Sequence, residues 1–142
     1  MSLFSKALVI IKPDAVLRKL AGRIIQRIED KGLRIVEMKM QRLTIAEADE
    51  LYKEHREKSW FQHQIDFMTS GTCILMSVEA MSPDGEACLI IRQMMGDYGS
   101  YGQPGTIRGD FGLDVRQNLI HCSDSPEAAE RELYIFFGDA EL

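Results

Sequence analysis

Apolar positions along the chain change rhythm several times, and each change marks an element. "KALVIIK", Lys6 to Lys12, is short, continuously apolar and rich in β-branched residues, which predicts a buried strand ending at Pro13. In "AGRIIQRIEDKG", residues 21–32, Ile24, Ile25 and Ile28 fall on one helical face, and Lys31 followed by Gly32 supplies the stop. "LRIVEMKMQRL", Leu33 to Leu43, takes the period of a strand with one wet face, Glu37, Lys39 and Gln41 being expected outward. Thr44 followed three residues later by Glu47 matches a capping box and opens a helix through "AEADELYKEHREK", residues 46–58.

Helical spacing returns in "WFQHQIDFMTSG", where Phe61, Ile65 and Met68 share a face before Gly71, and "TCILMSVEA", Thr72 to Ala80, reads as a strand. Ser82-Pro83 resembles a cap with Pro at the first helical position, and the helix through Leu89, Ile90 and Met94 is expected to stop near Gly96. After a Gly-rich loop, "GLDVRQNLIH", residues 112–121, predicts the last strand, and Ser125-Pro126 opens a closing helix over "EAAERELYIFF". With minor helices set aside, the order is βαββαβ plus a C-terminal helix. The expected class is α/β, more narrowly α+β: a ferredoxin-like antiparallel four-stranded sheet with helices on its faces. That plan hosts unrelated functions, so it decides no chemistry.

Composition narrows the setting. At 142 residues with 45% hydrophobic positions, residues 1–142 suit one domain with its own core. No apolar run reaches membrane-span length and the N-terminus lacks a secretory succession, so a cytoplasmic location is expected. Cys73, Cys88 and Cys122 are odd in number and lack metal-ligand spacing, which argues for free thiols. A net charge of −5 argues against nonspecific adhesion to nucleic acid, yet leaves room for a local basic cluster that grips a small polyanion.

The run "NLIHCSDS", Asn118 to Ser125, carries the sharpest question, because an apolar stretch stops at His121 and turns polar at once. A histidine closing a strand is more often a satisfied boundary residue than a reagent. Around it, the glycines of "GDYGSYGQPGTIRGD" equally suit a turning loop or close ligand approach, and neither G-x-x-x-x-G-K-[ST] nor G-x-G-x-x-G after a strand occurs. Bound phosphate would therefore need side chains: Lys12, Arg92 and Arg108 are the candidates, each alone equally a solvated charge. Tyr52 and Trp60 offer faces for a nucleobase, Trp60 balanced between packing and stacking, while Phe61 fits the core better. His55 and His63 read as surface residues. Glu130 and Glu132 lie on the closing helix, where each could orient a histidine or simply be solvated.

Together these pieces resemble the nucleoside diphosphate kinase family, over about Lys6 to Phe137. Asn118-x-x-His121-x-Ser123-Asp124 is similar to the family's N-x-x-H-G-S-D signature, and "IKPDA", "MTSG" and "PGTIRGDF" are family-like in the same order. The resemblance implies a phosphotransferase that moves the γ-phosphoryl group of a nucleoside triphosphate to a nucleoside diphosphate by a ping-pong route. His121 would be the nucleophile and Glu132 its orienting acceptor. Lys12, Tyr52, Arg92, Arg108 and Asn118 match phosphate- and sugar-holding positions, and Trp60 stands where the family stacks a Phe on the base. Mg²⁺ would ride on the nucleotide phosphates, with no protein metal ligand. The implied partners are ATP, GTP and other nucleoside di- and triphosphates with broad base tolerance, no membrane and no specific nucleic acid, in a homo-oligomer, a hexamer or alternatively a tetramer.

Three positions depart from the pattern. Cys122 replaces a Gly, Tyr98 stands where a phosphate-contacting Thr is expected, and Asp97 to Gln103 do not follow the family's loop. Consecutive residues of extended backbone point to opposite faces, which sets Cys122 apart from His121 chemistry. Its thiol is expected at the site mouth, where oxidation would add bulk. A non-enzymatic ferredoxin-like binding module explains the order of elements equally well, but not the coincidence of five polar residues with family positions.

Overall fold

The computed structural model describes residues 4–81, 86–96 and 102–138. β1 (Phe4–Ile11) leads into a short α1 (Pro13–Leu17) and the longer α2 (Ala21–Asp30), and β2 (Arg34–Arg42) follows. Next come α3 (Ile45–Leu51), a 3₁₀ turn (Lys53–His55), α4 (Phe61–Met68) and β3 (Thr72–Met81). The chain closes with α5 (Ala87–Met95), α6 (Ile107–Phe111), β4 (Ile120–Cys122) and α7 (Pro126–Phe137). The sheet runs β2-β3-β1-β4 with each adjacent pair antiparallel, the ferredoxin-like order.

β1 lies in the centre of the sheet, which explains its unbroken apolar run. Ala7, Val9 and Ile11 join one core cluster with Ile24 and Ile28 of α2 and Ile91 and Met95 of α5. Leu8 and Ile10 point the other way, toward Ala48 and Leu51 of α3, Met68 of α4, and Leu133 and Phe136 of α7. Each face is covered by helices, so a strand buried on both sides has no polar phase.

Local signals behave as their chemistry dictates. Thr44 accepts from the Glu47 amide at 3.0 Å while the Glu47 carboxylate accepts from the Thr44 amide at 2.9 Å, a complete capping box. Ser125 caps α7 through the Ala128 amide at 3.1 Å, with Pro126 at its first position. Gly96 ends α5 at φ 79°, where an added Cβ would lie 2.2 Å from Thr106 Oγ1. Ser82 and Pro83 lie outside the described residues.

Four expectations are corrected. The helix expected over 46–58 stops at Leu51, because residues 53–58 have no apolar stripe to bury, and a 3₁₀ turn follows. The last strand, expected over 112–121, is only Ile120–Cys122. Asp114 accepts from the Arg116 amide at 2.6 Å, and Leu119 takes φ 79° in a γ-turn closed by Ile120 N donating to Asn118 O at 2.9 Å, so ladder pairing begins only afterwards. Within the loop, Thr106 accepts from the Gly109 amide at 3.0 Å and starts α6, an element the glycines masked. In β2, a bulge between Ile35 and Glu37 flips the alternation. Glu37, Lys39 and Gln41 consequently turn toward the helices and are half-buried, Lys39 donating to the Phe136 carbonyl and Gln41 to Glu47, whereas Met38 and Met40 are exposed.

Candidate functional site

β4 is three residues long, and its alternation sorts the chemistry. Ile120 and Cys122 enter the core cluster of α2 and α5, so His121 between them faces α7 and Tyr52. Its ring stands edge-on to Tyr52, 5.9 Å between centroids at 82°. His121 Nε2 lies 2.9 Å from Glu132 Oε1, and the same oxygen accepts from Ser123 Oγ at 2.9 Å. Glu132 is buried on α7, one turn from Ala129, while Glu130 points to solvent, which resolves which carboxylate orients the ring. A carboxylate can only accept, so Nε2 is the nitrogen that donates to Glu132, and in a neutral ring the lone pair lies on Nδ1.

Cations surround this imidazole. Lys12, at the turn between β1 and α1, is buried and donates to Asn118 Oδ1 at 2.7 Å. Burial first, then the neighbouring Arg108, brings its ammonium down from 10.5 to about 7, with Asp14 opposing. Asp14 is itself pushed up by burial, and Lys12 limits that rise. Arg108 of α6 donates to three carbonyls: Asn118 at 3.2 Å, Ile120 at 2.7 Å and Gly96 at 3.3 Å. It therefore braces the γ-turn before His121. The neighbouring Gly109 is packed so closely that a Cβ would sit 1.9 Å from the Gln103 carbonyl oxygen. Arg92 donates to the Cys122 carbonyl at 3.0 Å from α5. Tyr52 is buried, which raises its phenol, and a side-chain hydrogen bond with Gln64 opposes that rise.

These residues line one cleft of about 590 Å³: Lys12, Tyr52, Trp60, Arg92, Arg108, Asn118, His121 and Glu132 all border it. Trp60 is 39% exposed at its edge and rests against His55, 5.1 Å between centroids. Tyr98, the remaining expected residue, lies outside the described residues. Two expectations change here. His55, taken as a surface residue, is half-buried because Trp60 covers it, whereas His63 is exposed as expected; both border the cleft. Cys122, expected at the mouth, is 2% exposed, because the alternation that turns His121 outward turns the thiol into the core. Sequence reasoning also missed Val115, an exposed apolar wall of the cleft, and Ser123, the second ligand of Glu132. Val115 sits in an irregular loop with no periodicity to flag it, whereas Ser123 stood inside the quoted motif without a role.

An oriented imidazole, clustered cations and an aromatic edge in one cleft suit the transfer of a phosphoryl group carried on an aromatic ligand. The sequence profile described as nucleoside diphosphate kinase matches residues 5–142. The nucleoside diphosphate kinase of Methanothermobacter thermautotrophicus is 48% identical over 139 residues, covering 96% of this chain and 89% of that one. That of Methanocaldococcus jannaschii is 46% identical over 138 residues, covering 96% of both. Among solved structures, a halophilic nucleoside diphosphate kinase from Halobacterium salinarum in complex with CDP superimposes with a TM-score of 0.89 at 42% identity, over 97% of this chain and 90% of that chain. The chain belongs to the nucleoside diphosphate kinase family, and its activity is phosphoryl transfer between nucleotides.

Proposed function

We propose that His121 receives the γ-phosphoryl group of a nucleoside triphosphate on Nδ1 and delivers it to a nucleoside diphosphate. The observation that carries this is the 2.9 Å contact of Nε2 with the buried Glu132, which leaves Nδ1 as the basic nitrogen of a neutral ring without any proton having to be removed first. Nδ1 attacks phosphorus, the bond from phosphorus to the bridging oxygen breaks, and the electron pair leaves on the diphosphate. Lys12, Arg92 and Arg108 oppose the charge that builds on that oxygen and on the transferred group. Imidazolium character that develops on the ring is balanced by Glu132. The second half-reaction reverses these steps with another diphosphate, which gives ping-pong kinetics.

The remaining assignments follow the same cleft. Asn118 holds Lys12 in register, Tyr52 is read as a nucleotide-binding residue, and Tyr98 offers a hydroxyl at greater reach than the Thr the resemblance expects there. Trp60 stacks on the base, and a π-face without edge readout admits ATP, GTP and the other nucleotides alike. Of the carboxylates bordering the cleft, Glu132 is engaged with His121 and Ser123, leaving Glu54 and Asp124, a donor set that suits Mg²⁺ carried on the nucleotide phosphates. The ion supplies charge neutralisation there. We read residues 1–142 as one cytoplasmic domain in a homo-oligomer, hexamer or tetramer, since the exposed Met38 and Met40 lie on the edge strand β2. Brief incubation with γ-labelled triphosphate tests the central assignment: an acid-labile, alkali-stable label should appear on His121 and vanish in His121→Ala. A label that persists in the variant refutes it.

A further inference from the structure

Two buried thiols meet behind the cleft. Cys88 lies in the first turn of α5 and Cys122 ends β4; they are 5% and 2% exposed and share one core cluster. Cys88 and Arg92 are four residues apart on one face of α5, and Arg92 donates to the Cys122 carbonyl at 3.0 Å. The two thiols share a hydrogen bond, and Cys122 Sγ also donates to the Ser123 carbonyl at 3.3 Å. His121 faces the opposite side of β4, so phosphoryl transfer uses neither sulfur.

The pair is chemically unequal. The hydrogen bond from Cys122 holds the Cys88 thiol below its ordinary range, and the same bond, with burial, pushes Cys122 well above it. Cys88 is the sulfur that ionises and Cys122 the one that keeps its proton. Both thiols are nearly enclosed, so the reagent that reaches them has to be as small as hydrogen peroxide.

We propose that Cys88 and Cys122 form a redox modification site, which a peroxide converts to an internal disulfide within one subunit. The Cys88 thiolate attacks one oxygen of hydrogen peroxide, forming a sulfur–oxygen bond as the oxygen–oxygen bond breaks, and the hydroxide released takes up the proton Cys88 had lost. Cys122 then attacks the Cys88 sulfur, the sulfur–oxygen bond breaks, and the hydroxide leaves as water with the Cys122 proton. Two thiols and one peroxide become one disulfide and two waters. Bonding draws the sulfurs from hydrogen-bond separation to about 2 Å. The shift acts on the residue beside His121, whose carbonyl also anchors Arg92, so oxidation suppresses phosphorylation. That consequence rests on the reading of His121 as phosphoryl acceptor.

Titration of the native protein with hydrogen peroxide tests the site by two independent readouts. Mass spectrometry should show loss of two hydrogen atoms and one linked peptide pair containing Cys88 and Cys122. Label transfer to His121 should fall about tenfold or more in step with the linkage and return with dithiothreitol. Cys88 lies outside the cleft lining, so Cys88→Ala should label normally and keep labelling through the same treatment; Cys88→Ser gives a second variant should the alanine form fail to fold. Thiols that stay free, sulfurs that gain oxygen without linking, linkage that leaves labelling unchanged, or variants inactivated as fast as native protein would each overturn the proposal. Reduced native protein that never accepts label refutes the His121 reading instead, while the linked peptide still reports on the thiol pair.

Discussion

Glu132 is the residue whose replacement isolates the orientation of the imidazole. Its Oε1 accepts at 2.9 Å from both His121 Nε2 and Ser123 Oγ, in a position only 5% exposed. A hydrogen bond to a charged group contributes about 1.5 to 3 kcal/mol, against about 1 kcal/mol for a neutral one. Glu132→Gln keeps an oxygen that both donors can use, Ser123 fixing the amide orientation, so it removes the charge together with the 3.7 Å ion pair between Oε2 and Arg131. The expected loss is therefore about 1 to 1.5 kcal/mol of barrier, or roughly tenfold in the rate of His121 phosphorylation. Glu132→Ala removes acceptor and charge together and should lose about a hundredfold. Rapid-quench measurement of label transfer under single-turnover conditions reads the chemical step directly, with thermal melting recorded beside it. A Gln variant within twofold of native would refute the charge argument. Equal losses in Gln and Ala would refute the orientation argument, since the amide keeps the geometry.

Further outcomes follow from other parts of the cleft. Trp60→Ala should weaken purine and pyrimidine nucleotides alike by about 1–3 kcal/mol in titration calorimetry, and a loss confined to one base would show edge recognition instead. Lys12 has a folded-state value of about 7 against 10.5 in the open chain, so between those values the unfolded state holds the extra proton and folding stability rises with pH; denaturant titrations should show that slope in native protein and lose it in Lys12→Met. Diphosphate binding near pH 8 should take up a proton as Lys12 recharges, seen as a calorimetric heat that tracks the buffer's ionisation enthalpy, and buffer-independent heat would contradict the assignment. Gly109→Ala forces a Cβ against the Gln103 carbonyl and should cost about 1–3 kcal/mol in stability, with a melting point unchanged from native counting against the close packing described.

Much of this arrangement was legible because the signals were local. β1, α2, the Thr44 capping box and α7 each carry their reason within a dozen residues, and the Asn118 to Asp124 run carried the site. What the chain order hid depends on contacts distant in sequence or on backbone irregularity. The brevity of β4 follows from a γ-turn at Leu119, a residue whose type does not announce positive φ. His55 and Val115 join the cleft only because the 3₁₀ turn after α3 and the Asp114 loop both border it. Arg108 looked like a phosphate ligand alone, yet three carbonyls reveal a brace as well.

The bulge in β2 has a consequence for how this strand can change. Val36 is the extra residue that puts Lys39 under the end of α7 and Gln41 beside the α3 cap. Removing that one residue would restore simple alternation and rotate every position from Glu37 to Arg42 by half a turn. Lys39 and Gln41 would swing to the opposite face, and Met38 and Met40 would press beneath the helices in their place. A point substitution here disturbs one contact, whereas a deletion exchanges a whole strand face, so the fold depends more on the length of this segment than on the identity of any one of its residues.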